Sequence, residues 1–188
     1  VSVVESPSGK RPGPSRTAAA VGVVLVTVLA AAVVVASRVI AGDPDVPRAE
    51  RGPLPLVPVD APAATSQECV ALAQSLPTSL TSAGTTLNRL QIADPAPPGA
   101  VAWGAPDGEP VVLRCGLGKP PELTPTSPLR AISGVQWLPV EGPGSTTWFV
   151  VDRTVYVALT LPGAQGTGPL QSVSETVRNA LAPIPVRP

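Results

Sequence analysis

Residues 17–37 form an unbroken run of 21 residues without a single charge, mostly Ala and Val, with two Leu and one Gly. As a helix this run extends about 30 Å, the depth of a bilayer's hydrocarbon core. It predicts a transmembrane helix over 17–37 that acts as a signal anchor. The competing reading is a cleaved secretory signal, because Val39-Ile40-Ala41 before Gly42 has the small-residue pattern of a cleavage site. Signal-peptide cores usually span about 7–15 residues, shorter than this run, which favours the anchor. Small residues four apart, Ala18/Gly22 and Ala32/Ala36, suit close helix packing in lipid, but so Ala-rich a run produces that spacing by chance.

Lys10, Arg11 and Arg16 precede the run, and Arg38, Arg48 and Arg51 follow it, so positive charges alone hardly orient it. The free amino group adds to the first set. Both cysteines of the chain lie after the run, and disulfides persist outside the cytosol. Residues 1–16 are therefore expected as a cytoplasmic tail and the rest outside. The opening Val is what a GTG start gives when translated literally, so the N-terminus is expected to be complete. From Asp43 onward 9 basic and 12 acidic side chains leave a net charge of −3, with Lys119 the one lysine. Nucleic acid needs clustered Lys and Arg, so it is not an expected partner.

Residues 38–63 read as a linker, with six prolines at 44, 47, 53, 55, 58 and 62. Proline fixes φ and lacks a donor, so neither a helix nor a central strand is expected here. Over residues 42–63 a free polyproline stalk reaches roughly 60–70 Å at about 3.1 Å per residue. Leu54-Pro55-Leu56-Val57 is the part expected to dock on the domain.

Residues 64–188 are expected to hold one α+β domain, a mainly antiparallel sheet of four or five strands with two flanking helices. Thr65-x-x-Glu68 reads as a capping box, and Cys69, Leu72, Ala73 and Leu76 follow on one helical face until Pro77. Residues 78–99 read as loop. Strands are expected at 99–104 and 110–115, joined through Asp107-Gly108, and at 133–140, after a Pro-rich loop over 116–130. The last hairpin pairs 146–151 with 154–161. A turn at Asp152-Arg153 sets Val150 opposite Val155, Trp148 opposite Val157 and Phe149 opposite Tyr156. Ser172-x-x-Glu175 reads as a second capping box, and Leu170, Val173, Val177 and Leu181 as the buried stripe of a final helix.

Cys69 and Cys115 are expected to form a structural disulfide, worth roughly 4 kcal/mol in the chain-entropy model. A redox pair would sit closer, as in Cys-x-x-Cys, whereas 45 residues intervene here. The chain has no His, which removes Ser-His-Asp and Cys-His catalysis and His-based zinc sites. No glycine-rich phosphate loop follows an expected strand. No cofactor or metal is expected. Carboxylates for glycan cleavage are present at Glu68, Asp94, Asp107, Glu109, Glu122, Glu141 and Asp152, but nearly all fall in turns or caps.

Arg114 lies in an apolar strand, where an unpaired guanidinium is costly if buried, so Asp152 or Glu68 is expected as its partner. The alternative is a ligand contact. Arg114, Asp152 and Arg153 are the candidate interaction residues, with Arg153 expected to be exposed at a hairpin tip. Trp103, Trp137 and Trp148 suit either the core or a glycan groove.

The string WGAPDGEPVVLRCG (103–116) is followed by PTS (125–127), GVQW (134–137) and VDRTVYV (151–157), and preceded by CVALAQSLP (69–77). Together these resemble the actinobacterial family of the domain of unknown function 3515 over about residues 60–188. The charged pair usual before the Pro-rich stretch is represented only by Arg89, and Asp107-Gly108-Glu109 looks longer than typical. The resemblance implies a membrane-anchored or secreted cell-envelope protein with no established activity, often encoded near cell-wall precursor genes. No catalytic residue carries over. The expected function is a non-catalytic binding or assembly module of the envelope, whose partner is an envelope protein or a wall component. The alternative is an unrecognised wall-modifying enzyme using carboxylates. The expected location is a single-pass membrane protein with the C-terminal domain outside, or a protein secreted after cleavage near Ala41.

Overall fold

The computed structural model describes residues 52–105, 108–163 and 165–188. The expected tail, transmembrane run and first part of the linker lie outside the described residues, as does Asp107. Among the described residues no helix is long and apolar enough to cross a membrane.

Helix α1 (Gln67–Ser75) precedes four strands, β1 (Ser79–Ser82), β2 (Thr85–Arg89), β3 (Ala100–Gly104) and β4 (Val111–Leu117). Four more follow, β5 (Arg130–Ile132), β6 (Val135–Gly142), β7 (Ser145–Val150) and β8 (Tyr156–Pro162), and then helix α2 (Gly168–Ala180). They make one eight-stranded sheet in the order β1-β2-β3-β4-β8-β7-β6-β5, and every neighbouring pair is antiparallel. Each half is a simple meander, and the last strands of the two halves pair with each other.

The α+β class and the two helices are as expected, but the sheet is larger than four or five strands. Residues 78–99 hold β1 and β2, and the end of the Pro-rich stretch leads directly into β5. These strands have only 4, 5 and 3 residues, and their outward positions are polar or small. Only Leu80 and Leu87 of β1 and β2 carry apolar side chains to the core, too few to give a period-2 signal. Their turns are nevertheless specific. Ala83-Gly84 and Ser133-Gly134 have positive φ at both residues (47° and 82°, 48° and 78°), the type I′ geometry of two-residue hairpins.

The last hairpin is displaced by two residues from its expected pairing. Val150 faces Val157, Trp148 faces Leu159 and Phe149 faces Ala158. A two-residue slip leaves every side chain on its expected face, so alternation along the strands could not detect it. The connection is a wide corner in which Val151, Asp152 and Arg153 are buried.

Both helix starts also differ. Ser66, not Thr65, caps α1, its hydroxyl accepting from the Cys69 amide at 3.3 Å. α2 begins at Gly168 with Pro169 in its first turn, so Ser172 lies inside the helix and caps nothing. Proline fits a first helical turn because its missing N–H has no intrahelical acceptor there. The stripe Leu170, Val173, Val177 and Leu181 is buried as expected.

One sheet face packs on the two helices. Its core includes Leu72 of α1 and Leu76 at its C-cap, Trp103, Leu113, Trp137, Val157 and Leu159 of the sheet, and Val173 and Val177 of α2. A smaller cluster on the other side joins Leu123 of the β4–β5 connection to Leu138 and Val151, with Phe149, Tyr156 and Val186 packed against it. α2 touches both edges of the sheet. Gly168 lies so close to Thr81 that a side chain there would strike the Thr81 carbonyl, and Arg178 packs on Gly134 between β5 and β6. Flat, the edges of an eight-stranded sheet would lie about 34 Å apart. A 13-residue helix is about 20 Å long. The sheet must therefore curl around α2, in line with the twist of antiparallel strands.

Candidate functional site

Cys69 on the buried face of α1 and Cys115 on β4 are bonded, with Cα atoms 5.6 Å apart. The bond ties the first helix to a central strand, and both cysteines sit inside the main core.

Arg153 is not at an exposed tip. It is only 2 % exposed, and its Nη1 lies 2.8 Å from Asp152 Oδ2 in an ion pair between sequence neighbours. Nη1 also donates to the Asp152 carbonyl at 2.9 Å, and Nη2 reaches the Gly134 carbonyl at 3.4 Å. The Ile184 amide donates to the same Asp152 carbonyl at 2.9 Å. The corner thus ties together β7, the β5–β6 turn and the C-terminal segment. Asp152 Oδ1 and Arg153 Nε are buried without a hydrogen-bond partner. Burial of a paired charge with incomplete partners is costly.

Arg114 pairs with neither Asp152 nor Glu68. Its Nη2 donates to the Val57 carbonyl at 3.1 Å, and its Nε is buried without a partner. Burial lowers the guanidinium pKa from its ordinary value, since removal from water disfavours the charged form. What covers it is the Pro-rich segment. Leu54 forms a parallel bridge with Ile92, its amide donating to Gln91 and its carbonyl accepting from Ala93. Farther along, the Ala63 amide donates to the Gly116 carbonyl at 3.0 Å. Gly116 has φ +86°, and a side chain there would collide with the backbone of Ala63 and Ala64. Residues 54–63 are therefore strapped to the domain. The expected docking of Leu54–Val57 occurs, and the stalk reading does not hold for these residues.

Trp103 and Trp137 are fully buried and belong to the core. Their indole N–H groups donate to the Pro77 carbonyl and to Ser174 Oγ, each at 2.9 Å. Trp148 is only half-buried. It lines a half-open pocket of about 160 Å³ with Thr146, Leu161, Gln165, Thr167 and Leu170, between the β7–β8 ends and the start of α2. Small-molecule sites usually measure about 300–1,000 Å³, so this one takes a single ring or side chain. Every lining residue is neutral. Thr146 Oγ1 donates to the exposed Glu141 carboxylate at 2.7 Å, which sets that acid at the rim. Of the other candidate acids, Asp94, Glu109 and Glu122 are exposed and Glu68 is half-buried. Among the described residues no group of His, Cys, Asp or Glu is placed to hold a metal.

The motifs from α1 through the Asp152 corner thus belong to one disulfide-tied domain. A family model described as protein of unknown function (DUF3515) matches residues 18–186. The chain belongs to the DUF3515 family. Comparison with curated proteins and with solved structures gives no match. In this DUF3515 chain, sequence reading missed Thr146, Gln165 and Thr167 as pocket residues and Val57 as the Arg114 partner. The run Gly163-Ala-Gln-Gly-Thr-Gly168 after the last strand was the available signal for the first group, since it breaks the strand and opens a helix. No local signal links Val57 to Arg114.

Proposed function

We propose that this DUF3515 protein is a non-catalytic binding or assembly module of the cell envelope, held outside the cytoplasm on a single N-terminal span. The observation that carries the reading is the pocket beside Trp148, whose lining offers an aromatic ring, hydroxyls and an amide but no titratable group. Such a lining recognises by contact and hydrogen bonding and has no acid or base for proton transfer. The one buried carboxylate among the described residues, Asp152, is engaged by Arg153.

The test is sedimentation of the purified full-length protein with isolated cell-wall and membrane fractions, together with assay of those fractions for released fragments. Binding without fragment release, reduced about tenfold or more by Trp148→Ala, is the expected result; tenfold corresponds to about 1.4 kcal/mol. Release of wall fragments that depends on Glu141 or another carboxylate would replace this reading with the enzymatic one.

A further inference from the structure

Among the described residues only three large apolar side chains are exposed, and two of them, Val57 (77 %) and Val59 (47 %), sit two positions apart on the strap. Pro53, Pro55 and Pro58 alongside them are exposed as well. From Pro53 to Val59 there is no charge. The main chain beneath is held: Leu54 is bridged at both its amide and its carbonyl, and the Val57 carbonyl is taken by Arg114. Pinning the Val57 carbonyl to the domain turns its side chain outward. A free Pro-rich tail would lose conformational entropy on being bound, whereas this one is already pinned at Leu54, Val57 and Ala63.

We propose that the ridge Pro55-Leu56-Val57-Pro58-Val59 is a recognition surface for a protein partner with an aromatic-lined groove, the kind that takes extended proline-rich segments. Prolines at 55 and 58 present ring faces at the three-residue spacing of such segments. A lipid surface fits less well, because interfacial segments rely on Lys, Arg and aromatic anchors and the ridge has none. A second copy fits less well too. Of its three Trp, one Tyr and one Phe, Trp148 lines a pocket, but that pocket takes a single side chain and is not a groove for a five-residue ridge. Arg114 is a positioning residue for the ridge and does not touch the partner. The proposal rests on the binding-module reading but uses a surface other than the Trp148 pocket.

The test places a photo-reactive amino acid at position 57 or 59 of the full-length chain in its native cells, with position 154, exposed but outside the strap, as control. The expected result is a protein adduct from 57 and 59 but not from 154, with the cross-linked peptide of the partner containing aromatic residues. A synthetic peptide of residues 52–63 should displace the unmodified chain from that partner. Arg114→Ala should weaken partner binding about tenfold by releasing the strap, and Arg114→Lys should restore part of it. Adducts to lipid, to a second copy or to no single protein would overturn the proposal, as would a partner that the peptide does not displace. If these fail while the full-length protein still binds envelope fractions through Trp148, the module reading stands and the ridge alone is wrong.

Discussion

Arg114 on β4 holds the main-chain carbonyl of Val57, a residue 57 positions earlier, at 3.1 Å. A charged side chain from the middle of the sheet is thereby used to fasten a segment that composition alone would leave loose. Arg114→Ala should cost about 1–2 kcal/mol, the loss of a charge-assisted hydrogen bond and the packing of a long side chain. The diagnostic measurement is limited proteolysis. Cleavage within 52–63 should speed up strongly in the variant while the α1-to-α2 body stays intact, and unchanged cleavage would show that other contacts hold the strap.

Gly116 supports the same strap from below. Gly116→Ala places a methyl group against Ala63 and Ala64 in a backbone with φ +86°, so a loss of at least about 2 kcal/mol is expected. Gly118→Ala, two residues on, meets nothing within 4 Å and should change stability little. Thermal melts of the two variants side by side make the comparison.

Removing the Cys69–Cys115 bond by a double Ser substitution should lower stability by about 3–4 kcal/mol, from a loop closed across 46 positions. Denaturant titration of oxidised wild type against the variant measures it. Equal midpoints would mean that the helix–strand packing alone holds α1.

At the buried corner, Asp152→Ala or Arg153→Met should each cost about 3–5 kcal/mol, because each leaves one buried charge unpaired. The double variant should cost much less than the sum. A double-mutant cycle by chemical denaturation tests this, and additivity would show that the two side chains act independently.

Ser174→Ala leaves the buried indole N–H of Trp137 without its acceptor and should cost about 1–3 kcal/mol. Trp137→Phe in the same background should recover part of that loss, since it removes the orphaned donor. Equilibrium unfolding by fluorescence, with Trp103 and Trp148 as remaining probes, follows both.

Local patterns in the chain were enough for the α+β class, for the strands around Val101, Leu113, Val135 and Trp148, and for the buried stripe of α2. Each rests on the spacing of apolar side chains, which needs no knowledge of neighbours. The pairing of helix with strand through Cys69 and Cys115 was legible because few options exist for two cysteines. Short edge strands were not. β1, β2 and β5 form because an adjacent strand already offers hydrogen bonds, and their own residues hardly demand it. The two-residue shift in the last hairpin was hidden because it keeps each side chain on its face. The fates of Arg114 and Arg153 depended wholly on the fold. From the sequence, Arg114 is expected to pair with Asp152 or Glu68, and Arg153 to be exposed at a hairpin tip. One became the clasp of a proline strap and the other the buried pin of a corner, because a charge is satisfied by whatever the folded chain carries to it across long separations.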